Sequence, residues 1–356
     1  MMAGQFMKRN GSTARRSPRG LTAAALALAA AATLLVSACT PAPEPGQRYR
    51  VPADFAEGLL TALSDIHGPP PGANVDGCIP SAAHPRPVIV LHGFAGNMAD
   101  NMGGLSPFLA NQGYCVFALT YGDPDGSLFG GLNDIRRSSM EEFGPFVDDV
   151  LALTGARQVD VVGHSEGSIM PRWWMRFGPS VHSDGTPKVA TFVGVGPATH
   201  GADLGGNAAT LRSIPFFAGV IDTMVQNGCG ACEQVLSGSS FLKQLNSSEP
   251  QPGERFTGPT QPGVRYMMLA TQLDNFLVPY QYGFIDHPAV TNTTVQDVCA
   301  IDEADHLSIV FDPVAYDVID NFLDPATATT PRCVATQPVF APIDQRDWPP
   351  PTLPAD

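Results

Sequence analysis

The sequence predicts an α/β fold: a mostly parallel central sheet, helices on both faces and a small cap insertion. Three observations predict it. Val159–Gly167 reads V-D-V-V-G-H-S-E-G, a β-branched run that suits a buried parallel strand and then meets a G-x-S-x-G turn. His84–Phe94 holds a second such run, Val88–Leu91, ending in His92-Gly93. Beyond these, strand-like and helix-like runs alternate as far as Leu323.

The turn at Gly163-His164-Ser165-Glu166-Gly167 is the strongest signal. Glycine two residues either side of the serine lets strand and helix close tightly around it. A chain turned that sharply lifts Ser165 Oγ above the C-terminal edge of the sheet and aims the Glu166 N–H at the same point. Ile169, Met170, Trp173, Trp174 and Phe177 give Ser168–Phe177 the spacing of a helix packed on a sheet. After His92-Gly93, the Phe94 N–H is placed to join that of Glu166 in holding an oxyanion, with His92 as a loop brace.

The remaining elements follow in order. Val51–Ile66 carries Phe55, Leu59, Leu60 and Leu63 at helical spacing, and His67–Ala83 is Pro- and Gly-rich loop. Asn101–Gly113 reads as a helix and Gly113–Gly122 as a strand. Asp134–Thr154 reads as a crossover helix with a break at Gly144-Pro145. Lys188–Val195 is a strand. Residues 201–246, which hold Cys229-Gly-Ala-Cys232, leave the strand–helix rhythm and are expected to cap an acyl pocket. Val264–Thr271 is a strand, Thr294–Ala300 a last short strand, Asp302–Ser308 a loop and Val314–Leu323 the final helix. The domain therefore runs over residues 51–324, and 325–356 is a Pro-rich tail.

The first 38 residues read as a leader. Lys8, Arg9, Arg15, Arg16 and Arg19 precede the uncharged apolar run Leu21–Ala38, and Val36-Ser37-Ala38-Cys39 matches a lipobox. Such a leader is cut before Cys39, which then receives a diacylglyceryl group. An ordinary secretory signal and an uncleaved membrane span are the alternatives. Arg15-Arg16 hints at a twin-arginine signal, but Ser17-Pro18 does not fit one. Residues 39–50 are a Pro-rich tether.

The whole chain has 20 basic and 34 acidic residues; five of the basic ones lie in the leader, so the rest carries 15 against 34, a net of −19. That balance excludes nucleic acid as a partner and argues against docking on anionic lipid heads. Membrane attachment, if any, is through Cys39, and a monomer is expected. Of seven cysteines, Cys78, Cys115, Cys229, Cys232, Cys299 and Cys333 remain besides Cys39. Six in an exported chain suggest three disulfides, with fifteen pairings open. Cys229–Cys232 is the local pair, a structural loop rather than a redox or zinc motif; Cys78–Cys115 and Cys299–Cys333 are expected for the others.

A serine hydroxyl needs a base, and the base needs an acid to orient it. After Ser165, only His182, His200, His287 and His306 remain. His306 lies between the last strand and the last helix, where the base belongs, with His287 in reserve. Asp274, at the end of the Val264–Thr271 strand, is the acid, with Asp286 in reserve. No metal and no organic cofactor is called for. Asp302, Glu303 and Asp305 lack the spacing of a calcium loop and are read as a solvated acidic face.

Together, the stretch from Gly72 to Gly122, G-H-S-E-G, Gly196–Gly201 (G-P-A-T-H-G), C-G-A-C followed by L-N, and Asp305-His306-Leu307 resemble the secreted actinobacterial lipase/esterase family, the class 2 lipases. The resemblance covers about residues 72–323. It implies an α/β-hydrolase that cleaves carboxylic esters, acylglycerols among them, with Ser165, His306 and Asp274 as triad and Phe94 and Glu166 as oxyanion donors. Two departures stand out. Glu166 replaces the glutamine common in relatives, which sets a carboxylate beside the oxyanion, and many relatives lack a lipobox. An envelope acyltransferase on the same triad and a non-catalytic lipid-binding lipoprotein are the rival readings.

Overall fold

Four fully buried residues, Val88–Leu91, form strand β1, and their side chains divide the protein into two cores. Ile89 and Leu91 join one core with Val161, Phe192, Trp173 and Trp174. Val88 and Val90 join the other with Val162, Val193, Leu109, Phe311 and Tyr316. This alternation follows from the two-residue period of a strand, and burial on both faces explains why the strand is apolar throughout.

The computed structural model describes residues 48–123, 126, 128–202, 228–349 and 351. The leader, Cys39 and much of the predicted cap lie outside them. In chain order the elements are helix α1 (Phe55–Ala62), β1, helices α2 (Met98–Asn101) and α3 (Leu105–Gln112), and strand β2 (Val116–Leu119). Next come helices α4 (Ile135–Ser138) and α5 (Gly144–Thr154), strand β3 (Val159–His164), helix α6 (Met170–Phe177) and strand β4 (Val189–Val195). Helices α7 (Gly230–Gln234) and α8 (Ser240–Asn246), strands β5 (Arg265–Ala270) and β6 (Val290–Thr294), and helices α9 (Val295–Val298) and α10 (Pro313–Leu323) complete the series.

The six strands pair in the order β2-β1-β3-β4-β5-β6, every pair parallel. From β1 the chain moves outward to β2, then crosses back to β3 on the other side of β1. The loops leaving β1 and β3 thus diverge from adjacent strand ends, the place where an open parallel sheet forms a crevice.

Four expectations change. The helix expected over Asn101–Gly113 is two helices, α2 and α3, broken at Gly103-Gly104. There α10 and its preceding turn pack so close that a Cβ on Gly104 would lie 2.0 Å from the Tyr316 hydroxyl. The crossover helix is broken before Gly144-Pro145, by a π-helical turn at Ser139–Phe143. Gly144 is pressed against the Trp174 indole, 2.4 Å from where its Cβ would be. The last strand lies earlier than Thr294–Ala300: β6 is Val290–Thr294, and Thr294 closes it by capping α9 through a reciprocal pair of bonds with Asp297. Finally, the acidic run after β6 is not a solvated face. Asp302 and Asp305 are fully buried, while Glu303 alone is exposed.

The three disulfides are Cys78–Cys115, Cys229–Cys232 and Cys299–Cys333. Between residues 332 and 348 the Pro-rich tail packs on the domain, with Thr336 and Gln345 buried. Among the described residues, no helix is long and apolar enough to cross a membrane.

Candidate active site

Ser165 stands at the end of β3 with φ +52°, a left-handed conformation that costs a non-glycine residue of order 1–3 kcal/mol. The flanking glycines make that turn physically possible. A Cβ on Gly163 would sit 1.8 Å from the Gly167 carbonyl oxygen, and one on Gly167 would sit 2.6 Å from that of His92. The Ser168 hydroxyl donates to the Ser165 carbonyl at 2.5 Å and accepts from the Ala198 N–H at 3.0 Å. The strained turn is thereby tied to the loop after β4.

Three side chains from separate loops meet above this edge. The Ser165 hydroxyl lies 3.0 Å from His306 Nε2, and the Asp274 carboxylate lies 2.8 Å from His306 Nδ1. With the Nδ1 proton donated to Asp274, Nε2 is left as an acceptor for the serine hydroxyl. The second Asp274 oxygen accepts from the N–H groups of Phe276 and Leu277, so the carboxylate is fixed at both ends. All three positions expected from the sequence coincide here. The two reserves do not reach it: the His287 ring accepts from the Ala289 N–H in the loop before β6, and Asp286 is exposed.

Behind the loop after β1, His92 acts as the expected brace. It is fully buried and bonds its own loop at the Gly93 carbonyl, 2.8 Å away, while its other nitrogen accepts from the Tyr121 N–H at 3.1 Å. Burial lowers its pKa to about 4, so the ring stays neutral and can make both bonds. The braced loop passes so near the serine that a Cβ on Gly93 would lie 2.9 Å from Ser165 Cβ. Phe94 follows Gly93 and Glu166 follows Ser165 at this edge.

The Glu166 side chain behaves differently from the expectation of a carboxylate beside an oxyanion. It is buried, with the Tyr121 hydroxyl as its polar neighbour. Nearby Tyr121 directs its hydroxyl to the His92 carbonyl at 2.9 Å. Burial therefore drives the Glu166 carboxyl well above the usual carboxylate range. That shift favours the neutral acid, the form that sets no charge against the site.

Sequence reasoning did not reach the residues that hold these loops. Asn101 Oδ1 accepts from the Gly93 N–H at 2.8 Å and lies 2.9 Å from His164 Nδ1, while His164 Nε2 lies 2.9 Å from the His306 carbonyl. Asp305 Oδ1 takes the N–H groups of Leu307 and Ser308, which shapes the turn carrying His306. Only its position beside His306 pointed to Asp305, and nothing in its neighbourhood pointed to Asn101.

The family model for lipase (class 2) matches residues 85–317. The chain belongs to the class 2 lipase family. With the parallel sheet and the serine turn, membership gives it the α/β-hydrolase fold. A 116-residue stretch of this lipase-family chain is 33% identical to a triacylglycerol lipase of Pseudarthrobacter phenanthrenivorans, covering 30% of this chain and 34% of that protein. A triacylglycerol lipase of Burkholderia plantarii is 33% identical over 116 residues, which is 30% of each chain. The matched stretch thus spans about a third of the length of these curated relatives. Among solved structures, lipase B of Aspergillus fumigatus is similar at 16% identity and a TM-score of 0.48, over 82% of this chain and 64% of that one.

Proposed function

We propose that this class 2 lipase-family chain is a serine ester hydrolase that cleaves carboxylic esters, acylglycerols among them, through an acyl-enzyme. The observation that carries the reading is that Ser165 and Asp274 meet the two ring nitrogens of His306 at 3.0 and 2.8 Å. His306 Nε2 takes the hydroxyl proton as Ser165 Oγ attacks the ester carbonyl. Asp274 holds the tautomer and offsets the charge of the imidazolium. The Phe94 and Glu166 N–H groups receive the tetrahedral oxyanion, each donor contributing about 3 kcal/mol to the barrier reduction. The alcohol leaves with the His306 proton, and water repeats the sequence on the acyl group to release the acid and free Ser165.

We place this activity outside the cytoplasm, in the envelope or secreted. The leader, the lipobox at Cys39 and three disulfides support that location. Mass spectrometry of the mature N-terminus checks it: a diacylated Cys39 is the expected species, and an intact Leu21–Ala38 run would rule the processing out.

A p-nitrophenyl ester series of increasing acyl length, run on the wild type and on Ser165→Ala, tests the chemistry. Removing the nucleophile is expected to lower kcat by about 10⁴-fold or more on every ester. Full activity in the Ser165→Ala protein would end the reading. Product analysis with an added acceptor alcohol separates hydrolysis from acyl transfer.

A further inference from the structure

The C-terminal segment beyond residue 324 lies past the family match, which ends at residue 317. It nevertheless returns to the site. Cys333 is bonded to Cys299, and the Arg332 guanidinium pairs with Asp317 on α10 at 2.8 Å. From there the Thr336 N–H reaches buried Asp302 at 3.2 Å, and the Phe340 N–H reaches Asp305 Oδ2 at 2.8 Å. Asp305 shapes the turn of the base, so the segment already touches one triad loop.

Five residues later it grips the other. Gln345 is 1% exposed and makes three bonds to the loop that carries Asp274. Its N–H donates to the Gln272 carbonyl at 3.0 Å, and its Nε2 donates to the Asp274 carbonyl at 2.7 Å. Its Oε1 accepts from the Tyr280 N–H at 2.8 Å. A side-chain amide offers a donor and an acceptor side by side, which is why one glutamine can tie two points of a loop at once. A buried polar side chain that uses both ends on one loop fixes that loop's position rather than merely filling space.

We propose that Gln345 is a positioning residue for Asp274: it clamps the acid loop from beyond the family match so that the carboxylate stays against His306. The proposal rests on the triad reading given above. His306 faces Asp274 on one side and the His164 ring on another, 4.9 Å away between centroids. A loosened Asp274 leaves the imidazolium less stabilised, which lowers the rate of the step that forms it.

The test uses the full chain with Gln345→Met, which keeps the buried volume and removes both side-chain bonds, and Gln345→Ala. Arg346→Ala, on an exposed neighbour, serves as control. Active sites are titrated first, so that misfolded protein does not count. Expected for both Gln345 variants is a kcat about tenfold below wild type on a soluble short-chain ester, with KM within about twofold, because a small misplacement of a catalytic group acts on kcat. Melting temperature falls for any structural role and decides nothing alone. Wild-type kcat per titrated site in Gln345→Met overturns the proposal even where stability drops. Asp274→Asn separates the layers: if it retains wild-type kcat, the triad reading itself fails; if it loses activity while Gln345→Met does not, only the role of Gln345 fails.

Discussion

Glu166 shows how one buried side chain can set a limit on a site it does not touch chemically. Its carboxyl lies buried near Tyr121, with Gly131 so close that a Cβ there would be 3.2 Å from Oε1. The Glu142 carboxylate, which accepts from the Gly122 N–H, is a further acidic group in this neighbourhood. His92, stacked on Tyr121, has its pKa lowered by burial to about 4. Because the folded protein holds the Glu166 proton more tightly than the unfolded chain, burial of this group costs stability once pH exceeds the unfolded value, and the cost grows until the folded group ionises. Ionisation would also set a negative charge beside the forming oxyanion. Glu166→Gln is therefore expected to match wild type in kcat at neutral pH and to lose less activity in alkali. Its gain in melting temperature should be larger at pH 8 than at pH 4. Equal alkaline limbs and a pH-independent stability difference would show that the carboxyl is already ionised.

At the level of elements, helix α6 does more than cover the sheet. Arg172 and Arg176 are buried on it, although a helix packed on a sheet would be expected to bury only apolar residues. Arg176 Nη1 donates to the carbonyls of Leu245 and Ser247 at 3.0 and 2.8 Å, and its Nη2 pairs with Glu254 at 2.7 Å. One guanidinium thus fastens the segment after α8 to the helix that follows the serine. Arg176→Met should cost about 3 kcal/mol by urea unfolding, since it orphans buried carbonyls and a carboxylate. A change below about 1 kcal/mol would mean that the segment holds itself.

Elements with a strong period were legible from the sequence. The β-branched runs at Val88–Leu91 and Val159–Val162 and the apolar face of α6 carry their own structural signal. Chain order and strand ends also constrain where an acid and a base can stand, and the structure brings Ser165, His306 and Asp274 within hydrogen-bond distance. What escaped depends on partners remote in sequence. Nothing local says that Asn101 will meet His164 or that Gly104 will face Tyr316. The short strand Val290–Thr294 was misplaced by four residues because V-T-N-T-T and T-V-Q-D-V-C-A have similar β propensity, and only the Thr294–Asp297 cap decides between them. The acidic run Asp302–Asp305 read as surface because its donors come from the tail and from its own turn.

Over the whole molecule, the disulfides differ in what they constrain. Cys78–Cys115 and Cys299–Cys333 close loops with separations of 37 and 34 residues, whereas Cys229–Cys232 closes one of three. Loop-closure entropy then assigns about 3–4 kcal/mol to each long link and about 1–2 kcal/mol to the short one. Replacing Cys299 and Cys333 by alanine should therefore lower the unfolding free energy about twice as much as replacing Cys229 and Cys232. It should also lower kcat, since that link anchors the segment bearing Gln345. Equal losses for the two pairs would contradict the ranking.

The most direct measurement is covalent labelling with a fluorophosphonate, mapped by mass spectrometry. One adduct on Ser165 is expected, formed quickly in the wild type and slowed by about 10³-fold or more in His306→Ala. An adduct on another residue, or labelling of Ser165 that proceeds at the wild-type rate without His306, would contradict the assignment of serine and base.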